Sequence, residues 1–334
     1  MTKSAATGPS LSLSTRLALL LAAITATAFV LLALLIYRQT AASYQQRLQA
    51  GLDTSASLMR DSVALYDRSL GESTRNLAAL FRASLPVGEV ALDPARRIEV
   101  AGHLAPQLTF GGAALALDDA AVDRFAASTG GVATIFVRDG DDFVRVATSL
   151  RNAAGERVLG TQLDHAHLAY PKMLAGEDFS GPAHLFGSDY MTHYMPMKNA
   201  AGEVVGIAFV GQDQSAGLAS LKASLRDSTL GREGYFMAID TRPGQTFGTI
   251  IAAPAGEGST LGERVAATDR SVLQALLEGR QTSATLQIKS ADGATTRGYF
   301  VSAQAHAPWR WMVLGMEPVS VLDEVLNRLL LQIA

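Results

Sequence analysis

Three short runs of the chain carry side chains able to grip a small charged molecule. The first, Phe143-Val-Arg-Val-Ala-Thr148, alternates as a β-strand does. If Val144 and Val146 face one side, Arg145 and Ala147 face the other. A guanidinium on a strand face offers a rigid fork of donors that matches a carboxylate bidentately. The bland alternative is a solvated strand arginine. Thr148 adds a hydroxyl at the end of the run. The second run, Tyr190-Met-Thr-His-Tyr-Met195, has the same period. It puts Tyr190, Thr192 and Tyr194 on one face and Met191, His193 and Met195 on the other. Tyr190 and Tyr194 are the favoured ligand residues. His193 stays a candidate, although a lone strand histidine is more often structural or exposed. Tyr170 and Lys172 are weaker candidates. The third run, Trp309-Arg-Trp311, holds both tryptophans of the chain. It reads as a ligand contact, a membrane-interface contact, or core packing beside the Ala307-Pro308 turn.

Much other chemistry is excluded. There is no GxxxxGK[ST] phosphate loop, no HExxH and no GxSxG elbow, so no enzyme is expected. Asp164-His-Ala-His167 would begin a metal site only with a third ligand such as His184 or His193. No metal and no cofactor are expected. The chain has no cysteine, which removes disulfides, CxxC redox chemistry and thiolate zinc sites. Lys plus Arg number 28 against 31 Asp plus Glu, a net charge of −3. That balance argues against a nucleic-acid partner, which requires a basic face. Charged residues make up 18% of the 334 residues, below the roughly 25% of a soluble domain, so membrane or very apolar content is expected.

The elements that must position these residues follow from periodicity. Leu17 to Ile36 is twenty residues without a charge, long enough to cross a bilayer as a helix. The run is longer than the apolar region of a signal peptide, so a retained anchor is expected. Lys3 and Arg16 before it balance Arg38 and Arg47 after it. The short tail before a large polar domain favours a cytoplasmic N-terminus. From Arg38 to Ala83 there is no proline. Tyr44, Leu48, Leu52, Ser55, Met59, Val63, Tyr66, Leu70, Ser73, Leu77 and Leu80 recur at helical spacing. This predicts a stalk helix about 70 Å long, ended by Pro86. Further helices are expected over Ala95–Pro106, Asp118–Ser128 and Ser215–Thr229. Val321 to Ala334 turns apolar where the sequence stops, and reads as the start of a second span or as an amphipathic terminal helix.

Beyond Gly130 the chain reads as two related β-rich units. Asp139-Gly-Asp-Asp142 marks a hairpin. Later strands are expected over Ala183–Phe186, Tyr190–Met197 and Val204–Gln212, then over Ser283–Ser290, Thr295–Ala305 and Arg310–Met316. Gly131 and Gly234, Phe136 and Ile239, Gly160 and Gly262, Gly176 and Gly279, Tyr194 and Tyr299, and Gly211 and Gly315 stand at offsets between 102 and 105. A near-constant offset implies an internal duplication.

A membrane span, a long helix and two tandem PAS-like units resemble the double-Cache sensors of bacterial chemoreceptors. The strings Gly130-Gly-Val-Ala-Thr-Ile-Phe136, Phe143-Val-Arg-Val-Ala-Thr148, Gly155-Glu-Arg157, Gly160-Thr161 and Tyr190-Met-Thr-His-Tyr-Met-Pro196 are similar to the fused Cache type three/type two domain of methyl-accepting chemotaxis proteins. The resemblance implies an α+β architecture: residues 1–16 a cytoplasmic tail, 17–37 the transmembrane helix and 38–83 the stalk. Residues 84–214 would form a membrane-distal Cache unit, 215–318 a membrane-proximal one, and 319–334 a helix entering a truncated second span. It implies a periplasmic sensor in a bacterial inner membrane, a homodimer along the stalk, that takes a small-molecule ligand such as a carboxylate. Asp213 matches the acidic residue that ends the last strand in amine-binding relatives. Their fuller aromatic and arginine motif is missing here, so the resemblance does not carry an amino acid ligand over. The HAMP linker, methylated helices and kinase-coupling hairpin of full receptors are absent from these residues. The same sensor on a histidine kinase or nucleotide cyclase, or an anchored binding protein without output, are the alternatives.

Overall fold

The computed structural model describes residues 13–114 and 119–333. Most of the expected tail and the start of the expected Asp118 helix lie outside the described residues. The apolar run and the stalk form a single helix, α1 (Leu13–Ser84), of 72 residues. At 1.5 Å per residue it extends about 110 Å. Its apolar N-terminal part has a mean hydropathy of 2.8, and none of it is buried against the rest of the chain. By length and composition alone it is able to cross a membrane.

After α1 the chain forms a hairpin, β1 (Val90–Val100) and β2 (His103–Phe110), edged by the short β3 (Ala113–Ala114). The helix expected over Ala95–Pro106 is not there. Ala101 and Gly102 both take positive φ, 50° and 84°, which turns the chain between Val100 and His103. The strand alternation was hidden by a register shift at Asp93-Pro94, between Asp93 and Arg97. Next come α2 (Asp119–Thr129), β4 (Val132–Asp139) and β5 (Asp142–Thr148), paired through the predicted Gly140 turn. An irregular insertion carries α3 (Ala169–Leu174), and then follow β6 (Phe179–Leu185), β7 (Ser188–Lys198) and β8 (Val204–Asp213). The linking helix is α4 (Ser215–Asp227), close to its predicted bounds.

The second unit contains β9 (Thr229–Leu230), β10 (Gly234–Asp240) and β11 (Ile250–Ala252). Helices α5 (Leu261–Arg264) and α6 (Arg270–Leu277) precede β12 (Ser283–Lys289), β13 (Thr296–His306), β14 (Trp311–Pro318) and α7 (Ser320–Ile333). The strand order is β5-β4-β8-β7-β6 in the first sheet and β11-β10-β14-β13-β12 in the second. Taken in order of sequence, the five strands of each unit are arranged identically, so the repeat holds as topology. Two of its landmarks do not hold. A Cβ on Gly211 would meet Val132 and Tyr190, whereas one on Gly315 would meet Leu52 and Ala56 of α1. The two glycines therefore face opposite sides. Tyr194 pairs with Phe209 inside β8, while Tyr299 pairs with Pro318 at the end of β14. A constant offset in a chain with bulges preserves order but not facing.

Helix α1 lies against both sheets. In the first unit Ala78, Phe81 and Leu85 pack with Ile135, Val137, Val210 and the hairpin residues Val100 and Leu108. In the second unit Leu52 and Val63 pack with Phe236, Phe300, Val313 and Trp311, together with Leu322 and Leu326 of α7. The predicted stalk face is correct at most positions, but Leu80 is 57% exposed and Phe81 takes its place in the core. Small residues set the closeness of the contact. Ala56 is fully buried against Gly315, where a Cβ would lie 3.1 Å from Leu52 Cδ1 and 3.2 Å from Ala56 Cβ. Overpacking such a seam costs about 1–3 kcal/mol. Gly315→Val is therefore expected to lower the unfolding free energy of the full chain in micelles by about that amount, measured by denaturant titration. Unchanged stability would mean that α1 is not seated on the second sheet.

Candidate ligand-binding site

On the side of the first sheet away from α1, a second cluster collects Phe136, Phe143, Tyr194, Ile207 and Phe209 beneath the insertion residues Leu150, Val158, Leu163, Ala169 and Met173. Arg145 projects into this apolar cluster and is only 5% exposed. Its strand neighbours behave differently from the simple alternation. A bulge between Ile135 and Phe136 breaks the register, so Ala147 joins Val144 and Val146 on the stalk side and leaves Arg145 on the other.

The guanidinium is sandwiched between two rings, 4.8 Å from the Phe136 centroid and 5.4 Å from that of Phe186. Nη1 donates to Thr161 Oγ1 and, at 3.4 Å, to the Val158 carbonyl. Nε is buried and has no acceptor. Among the described residues no carboxylate pairs with Arg145. Burial therefore pulls its pKa down to about 10, opposed by the nearby Tyr194. Tyr194 is itself pushed up to about 12 by burial, with the Arg145 charge acting against the shift. An unpaired buried cation of this kind is costly and attracts an anion.

Phe186 reaches its position through strain. It has φ 52° and, with Gly187 at φ 93°, forms the two-residue turn between β6 and β7. A left-handed conformation costs a residue with a side chain roughly 1–2 kcal/mol. Here it places a ring over the guanidinium.

The other candidates separate. Tyr170 joins the edge of the cluster, donates to the Asp141 carbonyl (2.9 Å) and stacks on His165 with centroids 4.1 Å apart. Tyr190 is half-buried on the same side, and burial raises its pKa, helped by the negative charge of Asp213. Thr148 is fully buried, but its hydroxyl is already 2.6 Å from that of Thr134 and accepts from Leu150 N. His193 lies on the stalk side, 2.6 Å from Ser180 Oγ and 3.4 Å from Asp178. Lys172 is exposed and pairs with Glu177 at 2.6 Å. Asp213 is exposed and accepts from Ser215 N at the start of α4. Arg145, Tyr170, Tyr190 and Tyr194 thus share one side of the sheet, Asp213 lies opposite Tyr190 at its exposed end, and His193 and Lys172 stand apart. Among the described residues no group of three metal-ligating side chains is found, at the Asp164–His167 segment or elsewhere. Sequence reasoning missed Thr161, Phe136 and Phe186 as partners of Arg145. Phe186 was expected at the end of a strand, and nothing in the Phe186-Gly187 pair says which side chain it covers.

Trp309 and Trp311 are each 7% exposed and belong to the cluster around α1. Trp309 Nε1 donates to Asp67 (2.8 Å) and meets Tyr66 edge-on at 5.9 Å. The core-packing reading is the one that fits them.

Residues 37–332 match the family of the Cache 3/Cache 2 fusion domain. The chain belongs to that family. Among solved structures, the ligand-binding domain of the Campylobacter jejuni chemoreceptor Tlp3, in complex with L-valine, is 10% identical, with a TM-score of 0.44, over 84% of this chain and 96% of that one. The ligand-binding domain of the Pseudomonas fluorescens chemoreceptor CtaA, in complex with L-isoleucine, is 13% identical over 85% and 97%, with a TM-score of 0.45. The sensor domain of the V. cholerae histidine kinase DctB is 14% identical over 60% and 77%, at 0.39. A search of curated proteins found no match. Cache domains are ligand-binding sensor modules, and residues 37–332 form one.

Two histidines of this Cache domain, His193 buried and His167 half-buried, are expected to give it a pH response. Burial lowers the pKa of His193, with Asp178 opposing and Arg82 and Arg75 assisting. Burial also lowers that of His167, against the pull of Asp164. Each binds a proton less readily in the folded chain than in the unfolded one, where its pKa is about 6.5. Stability is therefore complete above about pH 6.5 and falls as the pH drops below it, by at most about 1.4 kcal/mol per pH unit per histidine. Denaturant titrations at pH 7.5 and 5.5 are expected to show this loss, and the double variant His167→Asn, His193→Asn is expected to flatten it. An acid limb that persists in the double variant belongs to other groups.

Proposed function

We propose that this chain is the extracytoplasmic ligand-sensing region of a transmembrane chemoreceptor, and that Arg145 receives the carboxylate of a small ligand. The observation that carries the reading is the buried guanidinium without an anion. Thr161 orients its fork, Tyr194 and Tyr190 line the same side, and Phe186 closes the site at a strained hairpin tip. A carboxylate would meet the free Nε and cancel the uncompensated charge.

In this reading the apolar start of α1 spans a bacterial inner membrane and both sheets lie in the periplasm. Residues 84–214 are the membrane-distal unit, 215–318 the membrane-proximal unit, and residues from 319 onward lead back toward the bilayer. Leu58 and Leu65, each 63% exposed and one heptad apart on α1, support a homodimer along the stalk. Ligand binding then shifts α1 between two packings, by no more than its differential affinity for them. A histidine kinase output would use the same sensor.

The test is a thermal-shift screen of the full chain in micelles against short mono- and dicarboxylates. Binding to the native state must raise the melting temperature. Arg145→Met is expected to stabilise the ligand-free protein by about 1–3 kcal/mol, because an unpaired buried charge is removed, and to abolish the response. A response kept in Arg145→Met would take Arg145 out of the site. A screen without any response would remove the support for direct sensing.

A further inference from the structure

A cavity of about 1160 Å³ lies between the two units, walled by α1, the edge strand β6, the start of α4, β11 and the Trp309 turn. It is larger than most small-ligand pockets, which span roughly 300–1,000 Å³. We propose that this cleft is a second ligand site, separate from Arg145, for a small organic anion that carries two or more acidic groups and a hydrogen-bond donor.

The charges of the wall require this class. Every acidic residue there is already engaged. Asp67 accepts from Trp309 and lies 3.4 Å from His306. Asp189 is 2.8 Å from His184, Glu257 is 2.8 Å from Arg226, and Asp240 is held by Arg242. Four cations of the same wall have no ion pair among the described residues: Arg68 and Arg75 on α1, Lys222 on α4, and Arg310. They stand on three separate elements, so one acidic group cannot serve them all.

Two further features are built into the wall. Arg310 has φ 52°, a left-handed conformation that is unusual for a long side chain. It is fixed there by Arg310 N donating to the Ala307 carbonyl and by Thr241 N and Oγ1 donating to the Arg310 carbonyl. Gln214 also lines the cavity, and is 5% exposed. Its backbone is fully used, its N–H by Asp189 and its carbonyl by Leu218, yet its side-chain Oε1 receives no hydrogen bond. A buried acceptor left without a donor is costly, and a hydroxyl or amine on the ligand would supply one. Such a ligand would tie the stalk, the linking helix and the second unit together.

The test is calorimetric titration of the full chain in micelles with citrate, with tricarballylate, which lacks the hydroxyl, and with acetate. Citrate is expected to bind most tightly, tricarballylate more weakly, and acetate more weakly than either. Arg75→Gln and Lys222→Gln are each expected to weaken citrate by about tenfold, the usual scale of one charge-assisted contact. Gln214→Leu is expected to bring citrate down to tricarballylate. The weakening by Arg75→Gln and by Lys222→Gln is expected in the Arg145→Met background as well, which separates this site from the one in the first unit. The proposal is overturned if neither polyacid binds, if Arg75→Gln and Lys222→Gln bind citrate as the wild type does, or if citrate and tricarballylate bind the wild type equally. Loss of citrate binding in Arg145→Met with full binding in Arg75→Gln would assign the anion to the first unit instead.

Discussion

One helix seated on two sheets is the contact from which the rest of the molecule follows. The seam is close because its residues are small or shaped to fit: Gly315 against Ala56 and Leu52 in the second unit, and Gly131 under Leu77 in the first. Gly217 brings α4 so near that a Cβ there would fall 2.1 Å from Tyr66 Oη. Close packing of this kind tolerates neither voids nor extra methyl groups. It also fixes which face of each sheet remains available. In the first unit α1, α2 and the β1–β2 hairpin occupy one face, and Arg145 stands on the other.

The two strained non-glycine residues beyond the β1–β2 turn each stand beside a feature of the charge distribution. Phe186 covers the Arg145 guanidinium, and Arg310 faces the inter-unit cavity. Strain at such positions persists when the surroundings over-determine it. At Phe186 the surroundings are a tight hairpin register, Leu185 against Ser188. At Arg310 they are the hydrogen bonds from Thr241 to its carbonyl. At Phe186 the backbone is held so that a ring sits over a guanidinium, and at Arg310 so that the charged side chain itself lines the cavity.

Much of the architecture was legible from periodicity, because helices and half-buried strands write their facing into the sequence. The long helix, the linking helix, the Gly140 hairpin and five of the six later strands were read within a few residues of their positions. Ala183–Phe186 caught only the end of β6, since Gly181 and Pro182 obscure its start. The β1–β2 hairpin was lost because Pro94 and a register shift break the alternation. At the site, strand period placed Tyr190 and Tyr194 on one side and His193 on the other, as found. The facing of Ala147 was misread because a bulge is invisible in composition. Partners brought together by tertiary contact, Thr161 and Phe186 around Arg145, leave no local trace. The inter-unit cavity is likewise a property of how two units share one helix, and no run of residues announces it.

That sharing has a mechanical consequence. Both sheets are fastened along one rod of 72 residues that contains no proline. A helix resists stretching far more than bending, so the units cannot slide apart along it. The soft coordinate left to them is a rocking motion in which the rod flexes, and the space between the units widens or narrows as it does. The volume of the cleft and the curvature of the rod are then one variable.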